Sequence, residues 1–368
     1  YTCQCVVTKS AQTCLTNDPK QRPLFASFDG VYNPVLFALI GIFYANSAIK
    51  FQDIDPTGMG GYGATEFFHR VWLFTVCVSG LFTAIAVFSI APKDRREFFG
   101  TGKAIKVGIK DYWEVLKNNR AIQMLVLSAS SDKLAAQAKT SAVTVAMFAV
   151  LAGSKAAQGT VSALTTVPST IITFAAISLV APKVGQRKAM IYGSIGGIIT
   201  NLSLIALWLL GDPTTMTQDP AAGTVYFGFF TIAYLVLTCI QAGFQGISGN
   251  IVIPMTADCA DYETYRSGKY VPGLMGTLFS FVDKIVSSFA PMIAGVVFAA
   301  VGFADHNPVE GDPVTWELRV GTAFLAFGVI IVGLICNLIA MKFYPLTKEK
   351  MAEIQDEVAK IKAAALAE

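Results

Sequence analysis

Two adjacent pairs of opposite charge, Asp132 with Lys133 and Asp283 with Lys284, sit about a dozen residues inside long apolar blocks, which at ~1.5 Å per helical residue is near the middle of any bilayer those blocks cross. An ionisable group at that depth costs ~2.5–3.5 kcal/mol on insertion scales, so each must face a watery cavity or a partner. Groups so placed can bind a cation, hold a polar solute or latch helices together. Successive helical residues point ~100° apart, so Asp132 and Lys133 cannot both address one cavity. A contact of Asp132 with Lys284, or of Lys133 with Asp283, is therefore expected. It is either a latch whose partners exchange or a static pair that neutralises itself.

Asp29, Tyr32 and Asn33 form a second constellation, placing an acid, a phenol and an amide on one helical stripe. Carboxylate and amide bonds to vicinal hydroxyls, with an aromatic face against the apolar side of a ring, suit a polyhydroxylated solute. Asp29 fits equally as a first-turn residue that opposes the helix dipole. A third group gathers charges in two turns: Asp258, Asp261 and Glu263 with Arg266 and Lys269, and the basic run from Pro182 to Lys188 that contains Arg187. Opposite charges on neighbouring loops can close one face of a bundle and part when it opens. Arg187 and Lys188 serve equally as charges that fix membrane orientation.

The elements that must position these residues are plain in the composition. With 54% hydrophobic and 14% charged residues and a mean hydropathy of +0.55, the chain is too apolar for a soluble domain. Its apolar residues fall in eight blocks near 27–50, 66–91, 121–151, 158–181, 187–210, 223–256, 273–303 and 318–344. Each has the length of a membrane-spanning helix, and none alternates polar with apolar as a barrel strand does. Residues 1–16 read as the end of a further helix that begins before position 1.

Basic residues concentrate in alternate connections, 15–24, 92–120, 182–189 and 258–270, which the positive-inside rule assigns to the cytoplasm. The intervening loops hold acids such as Asp53, Asp55, Asp212 and Asp305. The expected fold is an all-α membrane protein of two six-helix bundles, N-terminally truncated to about eight and a half helices. Segment 1–91 is the remainder of the first bundle, comprising the end of helix 4 and helices 5 and 6. Segment 92–120 is a central cytoplasmic loop, 121–345 the second bundle, and 346–368 a cytoplasmic tail with the pattern of an amphipathic helix and no assigned chemistry.

Glycines recur at helical spacing as Gly193, Gly196, Gly197 and Gly243, Gly246, Gly249; these are packing positions, with a bend expected near 246–249. The seven cysteines are odd in number and mostly inside apolar blocks, which argues against a disulfide framework. Two histidines offer little for a metal or a Ser/His pair, and a net charge of +3 in scattered loops is no nucleic-acid face. No clustered nucleophile, base or metal set is visible, so neither an enzyme nor a resident cofactor is expected, and without a phosphate-cradling glycine loop ATP-driven transport is not expected either.

Two motifs carry a resemblance. Thr16-Asn17-Asp18-Pro19-Lys20-Gln21-Arg22-Pro23, and Met255-Thr256-Ala257-Asp258-Cys259-Ala260-Asp261-Tyr262-Glu263 followed by Gly268-Lys269 and a helix containing Lys284, resemble the glycoside-pentoside-hexuronide cation symporters, the melibiose permeases among them. The resemblance extends from the fourth of twelve helices to the tail. It implies the major facilitator fold in the cell membrane with a cytoplasmic C-terminus. It also implies carriage of a sugar or glycoside with H⁺ or Na⁺, the ion being cargo; a monomer is expected. Lys284 matches the family lysine that reaches the cation and sugar region. The family's intramembrane acid on the fourth helix is matched here by Cys5 beside Gln4, a departure that favours H⁺ over Na⁺. A lysolipid carrier of the same fold is the alternative.

Overall fold

The computed structural model describes residues 21–56, 64–93, 108–139, 141–153, 155–219, 224–268, 272–309 and 311–367. Gln4 and Cys5 lie outside them, as do Lys20 and Lys269. Among the described residues the chain is almost wholly helical. Helices α1 (Arg22–Ile49), α2 (Thr65–Ile90), α3 (Ile109–Asn118) and α4 (Arg120–Ala138) are followed by a short α5 (Ser141–Val145). Next come α6 (Lys155–Val184), α7 (Gln186–Leu210) and α8 (Phe229–Ser267), then α9 (Pro272–Ser287), α10 (Ala290–Ala300), α11 (Trp316–Ala323), α12 (Val329–Phe343) and α13 (Lys348–Ala367). A small antiparallel ribbon, β1 (Thr217–Asp219) with β2 (Thr224–Val225), sits in the connection between α7 and α8.

Among the described residues seven helical stretches are long and apolar enough to cross a membrane. An eighth appears if Arg120–Ala138 and Ala142–Leu151, bent by 47°, count as one broken span. Each of the eight apolar blocks thus has its helix, and the chain is a multi-pass membrane protein. α2 shows how little a membrane helix needs to bury within its own chain. Trp72, Leu73, Leu81, Val87 and Phe88 are all exposed, a surface that hydrocarbon solvates without cost.

Sequence reading and structure part company at α8. The apolar block predicts a helix ending near 256, but the helix continues without interruption to Ser267 and is capped by Gly268 in the left-handed conformation. Asp258, Asp261 and Glu263 therefore lie on a helix instead of in a turn. No break interrupts α8 at 246–249. What Gly246 supplies is proximity: a Cβ there would stand 2.4 Å from Thr173 Cγ2, so the glycine lets α6 and α8 meet closely. The polar stretch 92–120 contains the amphipathic α3, and the tail is a helix as its pattern predicts.

From Arg120 onward the helices enclose two apolar clusters. One gathers Ile122, Leu125, Ile177, Met190, Ile251, Met255, Met275 and Met341 with Met351, Ile354 and Val358 of the tail. The other gathers Met147, Phe148, Leu204, Trp208, Phe230, Tyr234, Phe298, Leu325 and Phe327. Six helical segments among the described residues run from one cluster to the other, and each carries polar side chains in between: Asp132 on α4, Thr173 on α6, Ser194 and Asn201 on α7, Gln245 on α8, Asp283 on α9 of the α9–α10 segment, and Asn337 on α12. The bundle is a sandwich of two greasy layers around a polar middle. α1 packs on this bundle along α6 and α8, and α13 lies across the end of α8.

Candidate functional site

The polar middle follows from the cost of burying polar atoms in an apolar setting, which forces them to pair. Asn337 on α12 bridges two serines, accepting from Ser128 Oγ of α4 and donating Nδ2–H to Ser194 Oγ of α7 at 2.9 Å. A turn further along α4, Asp132 is buried and its Oδ2 accepts from Ser248 Oγ of α8 at 3.1 Å. Gly333 allows the fit: a Cβ there would stand 2.8 Å from Ser131 O and 3.4 Å from Asp132 Cα, so α12 approaches the α4 backbone at this level.

Of the two pairings the sequence leaves open, the structure contains Lys133 with Asp283, Nζ to Oδ2 at 2.9 Å across α4 and α9. The pair is lopsided, since the Lys133 side chain is 38% exposed and the Asp283 carboxylate 2%. The lysine stem reaches from the bundle edge to cover a carboxylate inside it. Lys284 is exposed on the neighbouring face of α9 and is not brought to Asp132. Tyr32 is exposed on α1 and meets Phe82 of α2 edge to face, ring centroids 6.1 Å apart. Asn33 is exposed one position on, and Asp29 lies in α1 with its side chain outside the described set.

A second polar assembly stands at the end where α8 extends past its apolar block. Asp258 and Asp261 are three residues apart and so share one helix face. Arg22, at the first turn of α1, forks between them: Nη1 donates to Asp258 Oδ1 and Nη2 to Asp261 Oδ2, both at 2.6 Å. Its side chain is 1% exposed. Burial alone would favour a neutral guanidine, but the two carboxylates outweigh it and hold Arg22 charged. Gln355 of α13 adds a further donor, Nε2–H to Asp261 Oδ2 at 2.7 Å. The tail thereby helps satisfy the triad.

Beside it Glu263 chelates Arg266 and accepts from Asn119 Nδ2 at 2.9 Å, while Asn119 Oδ1 caps α4 through Ile122 N. Arg266 therefore closes on its own helix and does not reach Asp258 or Asp261. Arg187 goes elsewhere too, donating to the backbone oxygens of Met341 and Lys342 at the end of α12, and Lys188 is exposed. Arg187 and Asp258 line one cavity of about 290 Å³ between the α6–α7 turn and the tail, but they are not paired in it. The basic partner of the acids is Arg22, which the sequence offers as a loop charge and a member of the motif at 16–23 but not as their partner. The signal that could have found it is the i, i+3 spacing of Asp258 and Asp261, which presents two carboxylates to a single bidentate cation.

Among the described residues no group of three or more His, Cys, Asp or Glu side chains is placed to hold a metal ion. A family model described as MFS/sugar transport protein matches residues 1–348. The glucuronide carrier protein homolog of Escherichia coli (strain K12) is 22% identical over 358 residues, covering 95% of this chain and 68% of that protein.

Proposed function

Because the chain belongs to the MFS/sugar transport protein family, we propose that it is a secondary active carrier moving a sugar or glycoside together with a cation, H⁺ or Na⁺, by alternating access. Its family makes it a transporter and not an enzyme. Within the family we assign it to the glycoside-pentoside-hexuronide symporters, on the two motifs that contain Arg22 and the Asp258 and Asp261 of its triad. The relative that carries glucuronide in its name makes a glucuronide the first substrate to assay.

The observation that carries the alternating-access reading is that triad. A permanent seam between α1 and α8 would be as stable or more so with apolar residues, because buried ions lose their hydration. A seam that must part and become wet is better built from charges, which water solvates when the helices separate. We place it on the cytoplasmic face, where the basic connections run, with residues 1–91 as part of one bundle and 121–345 as the other. Rocking of α1 against α6 and α8 then breaks the triad as the carrier opens inward.

In the closed state the polar middle is screened from that side. Lys133, Asp283 and Lys284 stand at its edge and can meet the hydroxyls or carboxylate of a sugar acid. Counterflow of labelled methyl β-D-glucuronide into proteoliposomes preloaded with unlabelled sugar tests the reading, with other glycosides run alongside. Exchange is expected with at least one glycoside. Exchange of lysolipid in place of every glycoside would reverse it.

A further inference from the structure

Asp132 is the one acidic side chain of the polar middle with no cation on it in the described structure. It is 8% exposed. Oδ2 has the Ser248 hydroxyl, and Oδ1 is buried with no hydrogen-bond partner among the described residues. Each neighbouring element among the described residues withholds compensation. Lys133, next to it on α4, is committed to Asp283 of α9, and Lys139 at the end of α4 lies over the Phe327 ring. Lys284 of α9 is exposed, and the one hydrogen bond that Asp132 makes among the described residues is to Ser248. On α8 the nearest titratable groups, Cys239 and Asp258, are more than two turns from Ser248. α12 faces it with Gly333 and carries Cys336 and, at its end, Lys342; α10 has no titratable residue. On α3, Tyr112, Glu114 and Lys117 lie beyond the Asn119 cap.

An ionised carboxylate in this position has one hydroxyl donor and no counter-charge, which is the costly way to bury a charge. The neutral acid avoids that cost and gains an O–H of its own. We infer that Asp132 is a proton-binding site at the seam of α4 and α8, and that it is where H⁺ couples to transport. The coupling clause rests on the sugar-carrier reading above. The step moves one proton from water to the carboxylate and makes or breaks no other bond. With the seam closed Asp132 is held as the acid; when the seam opens to water on the far side, the proton leaves and the carboxylate is hydrated. Protonation and packing of α4 against α8 are thereby the same equilibrium, so a proton gradient can drive the conformational cycle.

Infrared difference spectra of the full-length protein in lipid, recorded as pH is stepped through the neutral range, read this directly and need no sugar. A protonated-carboxyl C=O band that titrates, and that disappears in Asp132→Asn, is expected. Ser248→Ala, which takes away the one donor to the charged form, should move the band's midpoint to higher pH and covers the case in which the Asn variant does not fold. A parent protein without a titrating band, a band that survives Asp132→Asn, or a band indifferent to Ser248→Ala overturns the site. In proteoliposomes, Asp132→Asn should keep counterflow of methyl β-D-glucuronide while losing its uphill accumulation under an inward proton gradient. Accumulation at the parent's level overturns the coupling. A parent that exchanges no glycoside defeats the sugar reading instead, and the infrared result still decides the proton site.

Discussion

At the scale of single residues the decisive feature is how unequally each ion pair is buried. In the pair of Lys133 and Asp283 the acid is enclosed and the base is half in water. Lys133→Ala strands a carboxylate, whereas Asp283→Asn leaves a lysine free to extend outward. Lys133→Ala should therefore cost more, on the order of 2 kcal/mol after allowing for the exposed end of the lysine. A double-mutant cycle on thermal unfolding in detergent checks this, with the Lys133→Ala, Asp283→Asn double variant more stable than Lys133→Ala alone; additive losses would show that the two do not act as a pair. Arg22→Ala is the sharper change, because it leaves two carboxylates facing each other with no cation between them. A buried pair broken on one side loses about 3–5 kcal/mol. Cys259, next to Asp258 on α8 and fully buried with its Sγ 3.7 Å from the Tyr344 hydroxyl, reports the opening: in a variant whose other cysteines are replaced, Arg22→Ala should raise the rate of maleimide labelling well above that of the Arg22 protein.

At the scale of elements the tail helix is the part whose role composition does not reveal. Its pattern predicts an amphipathic helix, and α13 is one, but only its seat on α8 shows that Met351, Ile354 and Val358 close the first apolar cluster and that Gln355 reaches the triad. Removing residues 348–368 uncovers three apolar side chains worth ~1.5–3 kcal/mol each when buried. The truncated protein should melt at lower temperature and label faster at Cys259, while Gln355→Ala should speed labelling with little change in melting. Close helix approaches are also tested at this scale. Gly333→Leu would drive a side chain into the α4 backbone at Ser131 and should prevent stable insertion of folded protein, whereas Gly249→Ala, with open space around its Cβ, should be tolerated.

The same comparison shows what was legible in the sequence. All eight apolar blocks were, because a span of lipid dictates length and hydropathy; the pairing of Lys133 with Asp283 was legible only as one of two alternatives, because charge at the midplane demands a partner without saying which. The pairing of Arg22 was not legible: its partners are 236 and 239 residues away, and the motif that contains it does not say what it meets. The continuation of α8 past Thr256 was missed because hydropathy stops where the membrane does, while the helix goes on to carry its acids into the triad.

At the scale of the whole molecule the architecture separates two tasks. The charged triad at one end joins α1 to the bundle, and the polar layer between two apolar clusters is, on the proposed function, the interior that meets a hydrophilic solute and a proton. Neither works alone as a pump. Coupling requires that the seam and the layer respond to one another, and α8 is the element they share, carrying Ser248 in the layer and Asp258 and Asp261 in the triad. The most direct test of the account is uptake of labelled methyl β-D-glucuronide and related glycosides by full-length protein in proteoliposomes under an imposed inward proton gradient. Accumulation above the external concentration, abolished by a protonophore and indifferent to Na⁺, is the predicted result; equilibration that ignores the gradient, or no entry of any glycoside, would contradict it.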